Sequence, residues 1–525
     1  MWEPMRNHRA PSGVLKKLGV GALGICGVAL IGVASVGVGA AARQEPQEAP
    51  RGKAVGKVAG KAQEAPTGFD NQTNGFEEQA KFDDDRDSFE EVEDILPGPD
   101  GTGGGLGPVY NATSCVSCHQ NPVTGGSSQI AELRAGHRTP DPGSPSPRKV
   151  EFVEAAGGSV IQQRAIDASI QEHVQPEDDV RTLRMSNTVL GNGFVEVIPD
   201  EEILRVRRGQ RRWGMEGFAV VVTAAVGPKP GGGPTDFVLV ERIGRFGWKC
   251  QEASLVNFSA GAYLNEMGIT SPLQPTENTS NGRDVSSFDK VPDPEDKAVD
   301  PKKPNEKHPF GVDVEAFTRF MRSTKAPPRD AAVVGNDDVK AGEALFRDNE
   351  KLGCAICHHP DYTTPPPGTP IHTLGGRRGS DMATVPEALG NKVIHPYSDF
   401  LLHDVGTGDG IAQTQHADLP PRGFEDRERI PEEIQTRDDL VRVRARPERG
   451  HRRVLSGLEQ RTADKMRTAP LWGLRARPQL MHDGLSLTID EAIRRHGGQA
   501  EGVRLKYEAL SDQEKKLLLA FLNSL

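Results

Sequence analysis

The chain has 525 residues, 26% of them charged, and a net charge of −10, with no basic stripe; that is long enough for two or three domains and excludes a nucleic-acid binder. Its apolar share is only 35%, beside 59 glycines and 40 prolines, which predicts a loop-rich body whose cores are filled out by large apolar cofactors. Six cysteines, four of them in two short repeats, exclude a disulfide framework.

Residues 1–42 read as an address. Arg6, Arg9, Lys16 and Lys17 precede a run free of charge from Leu18 to Ala42. Two readings stand: a signal peptide cleaved near the small residues Ala40 and Ala42, or an anchor in which residues 18–42 span the inner membrane with the positive flank inside. Both predict a periplasmic or otherwise exported body. Residues 43–68, rich in Ala, Pro, Gly and Lys, predict a disordered tether. The acidic run from Asp83 to Asp94 reads either as a solvated face or as a docking patch for a basic electron-transfer protein.

"SCVSCH" follows at Ser114 to His119, and its pattern returns in "GCAICHH" at Gly353 to His359. In Cys-x-x-Cys-His the two thiols add across the haem vinyl groups and the adjacent His ligates the iron. A zinc site would need further thiolates or a His pair. Two covalent c-type haems are therefore expected, on Cys115, Cys118 and His119, and on Cys354, Cys357 and His358. The ligand on the far side of each iron separates an electron carrier from a catalyst. For the first haem, His137 in "SQIAELRAGHR" is the nearest candidate, ahead of His173 and Met185.

Between the motifs, "FVEVIPDEEIL", "GFAVVVTAAV" and "DFVLVERIG" predict a β-rich insertion over residues 194–245, the last two joined by a hairpin-like turn. Residues 271–309 are polar and Pro-rich and predict a surface excursion. "NDDVKAGEALFRD" predicts a helix with Ala341, Ala344, Leu345 and Phe346 on one side, and Gly342 allows another helix to cross it closely. The partner is the last segment, whose Ser511 and Glu514 form a capping box before Leu517, Leu518, Phe521 and Leu522. In "HDGLSLTIDEAIRRHGG", Thr488 caps a short helix whose inner face carries Ile489, Ala492, Ile493 and His496. His496 is either a ligand of the second haem or a histidine answering the helix dipole. The fold expected is mainly α: two c-type cytochrome-like haem domains, 69–330 with the β-rich insertion and 331–525, after a signal or anchor helix and a flexible tether.

The stretches "GLGPVYNATSCVSCH", "RFGWKCQEASLVNFSAGAYLNEMGITSPL", "GCAICHHP", "PYSDFLLHDVGTG" and "APLWGLRARPQLMHDGLSLTIDEAIRRHGG" carry a resemblance. From about Phe69 to Leu525 the chain resembles the di-haem oxidoreductases, thiol oxidoreductase-like c-type cytochromes related to the bacterial di-haem cytochrome c peroxidases. The resemblance implies that Trp248 lies between the haems and that Glu266, followed by Met267, stands over the reactive first haem. It places His137 as that haem's displaceable distal ligand and His496 where the second haem usually takes Met. It brings His403 and His482 near the second haem as outer groups or propionate partners. It also suggests an inter-domain calcium on the carbonyls of Thr468 and Pro470 with Asn192, and a homodimer.

The activity expected is reduction of hydrogen peroxide at the first haem, with electrons from a small c-type cytochrome or cupredoxin passing in through the second. Two alternatives stand beside it: a non-enzymatic di-haem electron carrier, and a high-valent-haem oxidase of a protein or thiol substrate, to which the lone Cys250 beside Trp248 draws attention.

Overall fold

The C-terminal helix starts where its cap is written: Glu514 N–H donates to the Ser511 hydroxyl at 3.3 Å, and Ser511 N–H donates to Glu514 Oε2 at 2.9 Å. It spans Asp512–Asn523 and buries Leu518, Phe521 and Leu522. The helix Asp337–Arg347 crosses it at Gly342, where a Cβ would lie 2.0 Å from the Leu517 carbonyl oxygen, so no larger residue fits. The buried stripe of that first helix is Val339, Gly342 and Phe346, whereas Ala341 and Ala344 are exposed. Spacing by three and four residues governs the stripe, and the two alanines fall off it.

This computed structural model describes residues 61–98, 104–140, 150–371, 384–412, 440–442 and 460–525. The signal or anchor segment lies outside the described residues, as does most of the tether. No helix among the described residues is long and apolar enough to cross a membrane. The end of the expected tether is ordered: Gln63–Glu64 is a strand paired in parallel with Lys392–Ile394.

Helices Gln79–Glu90, Leu255–Met267 and Val312–Ser323 build the larger core with Phe82, Phe89, Leu255, Phe317 and Phe320. That core also takes in Phe400, Leu401 and Trp472, so it runs across residue 330, the expected domain boundary. A smaller core closes the C-terminal end around Phe346, Tyr397, Leu518 and Phe521. The described residues from 61 onward belong to one compact unit.

The expectation of a mainly α fold needs correction, because six small sheets thread among the helices of the described residues. One of them precedes the expected insertion: Ala131–Pro140 pairs antiparallel with both Val150–Glu154 and Val180–Met185. Within the insertion, Ala219–Pro228 and Phe237–Ile243 form the anticipated hairpin. "FVEVIPDEEIL", however, is helical over Asn192–Glu196 and Asp200–Gln210. Pro199 followed by Asp200, Glu201 and Glu202 is a helix start, and acidic groups in a first turn answer the dipole.

The acidic run divides by burial. Asp85 is buried on Gln79–Glu90 and accepts two hydrogen bonds from Arg319 at 2.9 Å, while Asp84, Asp87 and Asp94 are exposed. The excursion at 271–309 is largely irregular, but Leu273, Gln274, Glu277 and Val285 are buried, so its inner edge is part of the body.

Candidate active site

Each Cys-x-x-Cys-His motif is a tight turn. Cys115–Ser117 and Cys354–Ile356 are 3-10 turns, and His119 N–H and His358 N–H donate back to the first cysteine's carbonyl at 3.2 and 3.0 Å. His119 Nδ1–H donates to the Gly126 carbonyl at 3.2 Å, and His358 Nδ1–H to the Tyr397 carbonyl at 3.1 Å. Those bonds fix the tautomer and leave each Nε2 with a free lone pair, which is how a metal-binding imidazole is presented. Tyr397 is held at φ +52, uncommon for a bulky residue, with its carbonyl aimed at His358. Burial keeps all these groups neutral: His119 is lowered, His358 falls to about 4, and Cys118 and Cys354 rise to about 12.

At the second motif, the rings of His358 and His496 face one another with centroids 6.4 Å apart. Metal–imidazole bonds of about 2 Å on either side, plus two half-rings, come to roughly 6 Å. The gap therefore takes one metal atom. His496 Nδ1–H donates to the Ala492 carbonyl at 2.8 Å, so His496 too presents Nε2. The Thr488 capping box starts the helix Ile489–Arg494, which delivers it. His496→Ala should convert this one haem from six-coordinate low-spin to high-spin, read from the visible spectrum. A wild-type spectrum in the variant would remove His496 from the iron.

The first motif opens onto a cavity of about 1510 Å³, lined by Cys118, His119, Glu132, Arg134, Trp248 and Glu266 among others. That exceeds the roughly 300–1,000 Å³ enclosing a drug-sized ligand and has room for a macrocycle. Glu266, near the end of Leu255–Met267, accepts from Asn111 Nδ2 at 3.1 Å. Opposite it stands Glu132, ion-paired to Arg134 and directly across the sheet from Arg184. Burial, and then the charge of Glu132, raises Glu266 above the carboxylate range. Burial opposes Glu132 as well, but Arg134 and Arg184 outweigh it and keep Glu132 low. Two carboxyl groups held on opposite sides of neutrality thus face one cavity.

His137 is not among the residues lining that cavity. It lies on the strand that carries Glu132 and Arg134, an odd number of residues away, and so points to the other face. There it is buried with Nδ1 3.4 Å from Asp178 Oδ1. His173 is exposed on a loop, and Met185 lines the cavity. Sequence reasoning passed over Glu132 and Arg134. The alternation in "AELRAGH" is the signal that would have found them, had it been read with a period of two.

Trp248 lines the same cavity. Its Nε1–H donates to the Met185 carbonyl at 2.8 Å, and its ring meets His482 edge-on at 6.1 Å. His482 thus packs on the tryptophan. His403 sits beside Cys357 Sγ at 3.8 Å, with Nε2–H donating to Asp399 at 2.7 Å and Nδ1–H to Gln499 at 3.0 Å.

The carbonyls expected to hold calcium are otherwise engaged: Thr468 accepts from Ser398 Oγ at 2.5 Å and Pro470 from Arg477 at 2.9 Å. A guanidinium at that carbonyl repels a second cation, so calcium is disfavoured there; Asn192 lines the cavity. Arg467 and Arg477 also line it, and among the described residues neither pairs with a carboxylate. Arg467 Nε is buried without a partner, and burial with Arg467 nearby lowers Arg477 to about 10. Two guanidiniums short of an anion suit the propionates of a haem. Cys250 is fully buried, donates to the Phe400 carbonyl at 3.3 Å, and is pushed up to about 12 by burial, an unreactive thiol.

A family model described as "Di-haem oxidoreductase, putative peroxidase" matches residues 151–430, more than half of the chain, including Trp248, Glu266 and the second motif. The chain belongs to the di-haem oxidoreductase family. No curated protein matches the oxidoreductase. Among solved structures it is similar to hydrazine synthase from Kuenenia stuttgartiensis, at 21% identity and TM-score 0.20, over 41% of this chain and 56% of that one. The oxidoreductase thus spans little more than half of that relative. It is also similar to the diheme peroxidase BthA from Burkholderia thailandensis E264, at 15% identity and TM-score 0.26, over 72% of this chain and 93% of that one. A single-residue variant of BthA matches at 15% identity and TM-score 0.25, over 74% and 95%.

Membership of this family implies two haems, and both ligand sets fit. His119 stands ready in a cavity of sufficient size with cationic groups for the propionates, and His358 faces His496 across one metal's width.

Proposed function

We propose that this oxidoreductase reduces hydrogen peroxide to water at its first haem, drawing electrons in through the second from a small exported c-type cytochrome or cupredoxin. The observation carrying this reading is the Glu132–Glu266 pair in the cavity of His119. Reduction of peroxide takes two electrons and two protons and yields two waters; the haem iron, when bound, supplies the electrons and an attachment point for one peroxide oxygen. The residues then have separate tasks. Glu132, ionised, would take a proton from one peroxide oxygen. Glu266, protonated, gives its proton to the departing oxygen, so the O–O bond breaks with both electrons leaving on one side. Asn111 orients the Glu266 carboxyl. Trp248 lies on the path by which electrons cross.

Covalent attachment through Cys115, Cys118, Cys354 and Cys357 belongs to the same reading, as does export directed by residues 1–42. Asp84, Asp87 and Asp94 supply the exposed charge for a basic donor. A pure electron carrier would need a second strong ligand opposite His119; His137 is turned away from the cavity, and Met185, which lines it, has its sulfur against Gly484. An oxidase working through Cys250 would need a thiol within reach of a substrate, and that thiol is buried. The test is stopped-flow mixing of half-reduced, haem-loaded protein with peroxide under nitrogen. Rapid oxidation that recovers with reduced cytochrome is expected; two haems that stay six-coordinate and unreactive would overturn the proposal.

A further inference from the structure

We propose that the Pro-rich excursion holds a divalent cation of the calcium class between Glu277, Asp289, Asp293 and Glu295. One oxygen from each of these carboxylates lies within 4.8 Å of the other three. Calcium takes oxygen ligands at about 2.3–2.6 Å, so oxygens on opposite sides of one ion stand roughly 5 Å apart. The donor set is all oxygen, which suits calcium and not zinc or copper.

A cluster of acidic groups on a surface is ordinary, and burial makes this one different. Glu277 is only 6% exposed, and its Oε2 has no hydrogen-bond partner. Its other oxygen accepts from Asn278 N–H at 2.8 Å. Glu295 repeats the pattern, with Oε1 buried and unpartnered while Oε2 accepts from Thr270 N–H at 2.9 Å. The Thr270 hydroxyl lies within hydrogen-bond reach of both Asp293 and Glu295, which brings the two carboxylates together. A buried carboxylate without a partner is expensive. Burial and the charges of Glu295, Asp293 and Asp289 accordingly push Glu277 up to about 9. A bound dication would reverse that balance and give every unpartnered oxygen a ligand role.

The position gives the ion a structural task. Gln274, Pro275, Thr276, Glu277 and Asn278 form part of the wall of the first haem's cavity, and Asp289, Asp293 and Glu295 come from the irregular returning segment of the excursion. The ion would staple the two, holding the wall in place where little regular secondary structure does so. This site is separate from the Thr468 and Pro470 carbonyls, where Arg477 already brings a positive charge.

The experiment is calorimetric titration of calcium chloride into full-length, haem-loaded protein stripped with EGTA, with magnesium chloride as the comparison. The readout does not require peroxide activity, so it stands or falls apart from the peroxidase reading. One calcium per chain is expected, with affinity weakened roughly tenfold or more in Glu277→Gln and a higher melting temperature in the calcium-loaded wild type. Asp289→Asn, at a half-buried position, decides the matter if Glu277→Gln does not fold. No heat up to millimolar calcium, undiminished binding in the variant, or equal affinity for magnesium would each overturn the assignment.

Discussion

Glu266→Gln should slow the peroxide-driven oxidation of the haem-loaded protein by roughly 10²–10⁴-fold, the range a positioned acid–base group supplies. The side chain is isosteric and still accepts from Asn111, so folding and the haem spectra should be unchanged. What is lost is the transferable proton. Glu132→Gln should be comparably slow, because glutamine cannot take the first proton. The two effects should not add in the double variant, since the groups act as a unit. The pH dependence has a definite sign. Burial and Glu132 hold the Glu266 proton on up to about 8, so the acid form prevails below that pH and is lost above it. Wild-type turnover should therefore fall as pH rises through that value, and the residual Glu266→Gln rate should not. A variant as fast as the wild type would remove Glu266 from the proton path.

Asp409→Asn should destabilise the fold by about 3–5 kcal/mol, measured by denaturant unfolding, because it strands two buried cations. Asp409 is paired with Arg184 at 2.7 Å and with Lys249 Nζ at 2.8 Å, and the three side chains are at most 5% exposed. Lys249 also donates to the carbonyls of Thr462, Ala463 and Lys465 at 3.0, 3.0 and 2.6 Å, so the network joins the residue beside Trp248 to the C-terminal half. Burial disfavours the Asp409 carboxylate, but Arg184 and Lys249 hold its pKa well below the ordinary range. Its contribution is therefore complete above the unfolded carboxylate pKa and is lost as pH falls below it. Wild type should lose that increment in acid, and Asp409→Asn should lack it at every pH. Since Arg184 stands across from Glu132, losing the Asp409 charge leaves that guanidinium less compensated and favours the ionised state of Glu132. A change below about 1 kcal/mol, the scale of a surface pair, would show that the cations are neutralised elsewhere.

Several elements were legible because their determinants are close in the chain. A Cys-x-x-Cys-His turn is five residues whose chemistry needs no partner from elsewhere. The Thr488 and Ser511 caps are equally local, and the crossing at Gly342 follows from a missing side chain between two apolar faces. His496 was legible as a position on a helix, although only its placement opposite His358 distinguishes a ligand from a capping histidine. Trp248 and Glu266 came from resemblance, and the structure puts both on the cavity of His119.

The expectation for His137 depended on which face of an element the fold would bury. His137 was chosen by its distance from the first motif, yet it sits on a strand, and a period of two sends it away from the cavity while bringing Glu132 and Arg134 in. The helices over Asn192–Glu196 and Asp200–Gln210 were read as a strand because β-branched residues outvoted the proline and acidic start. Arg467 and Arg477 carry no local sign of their role; they line the cavity because a segment some 350 residues after the first motif returns to it. The sequence alone supplied the expectation of covalently held haem, since the residues proposed for attachment and proximal ligation are contiguous. The tertiary structure decided which carboxylates face one cavity, which guanidiniums lie there without a carboxylate among the described residues and which histidines face each other, because those are properties of distance and burial between residues the chain keeps far apart.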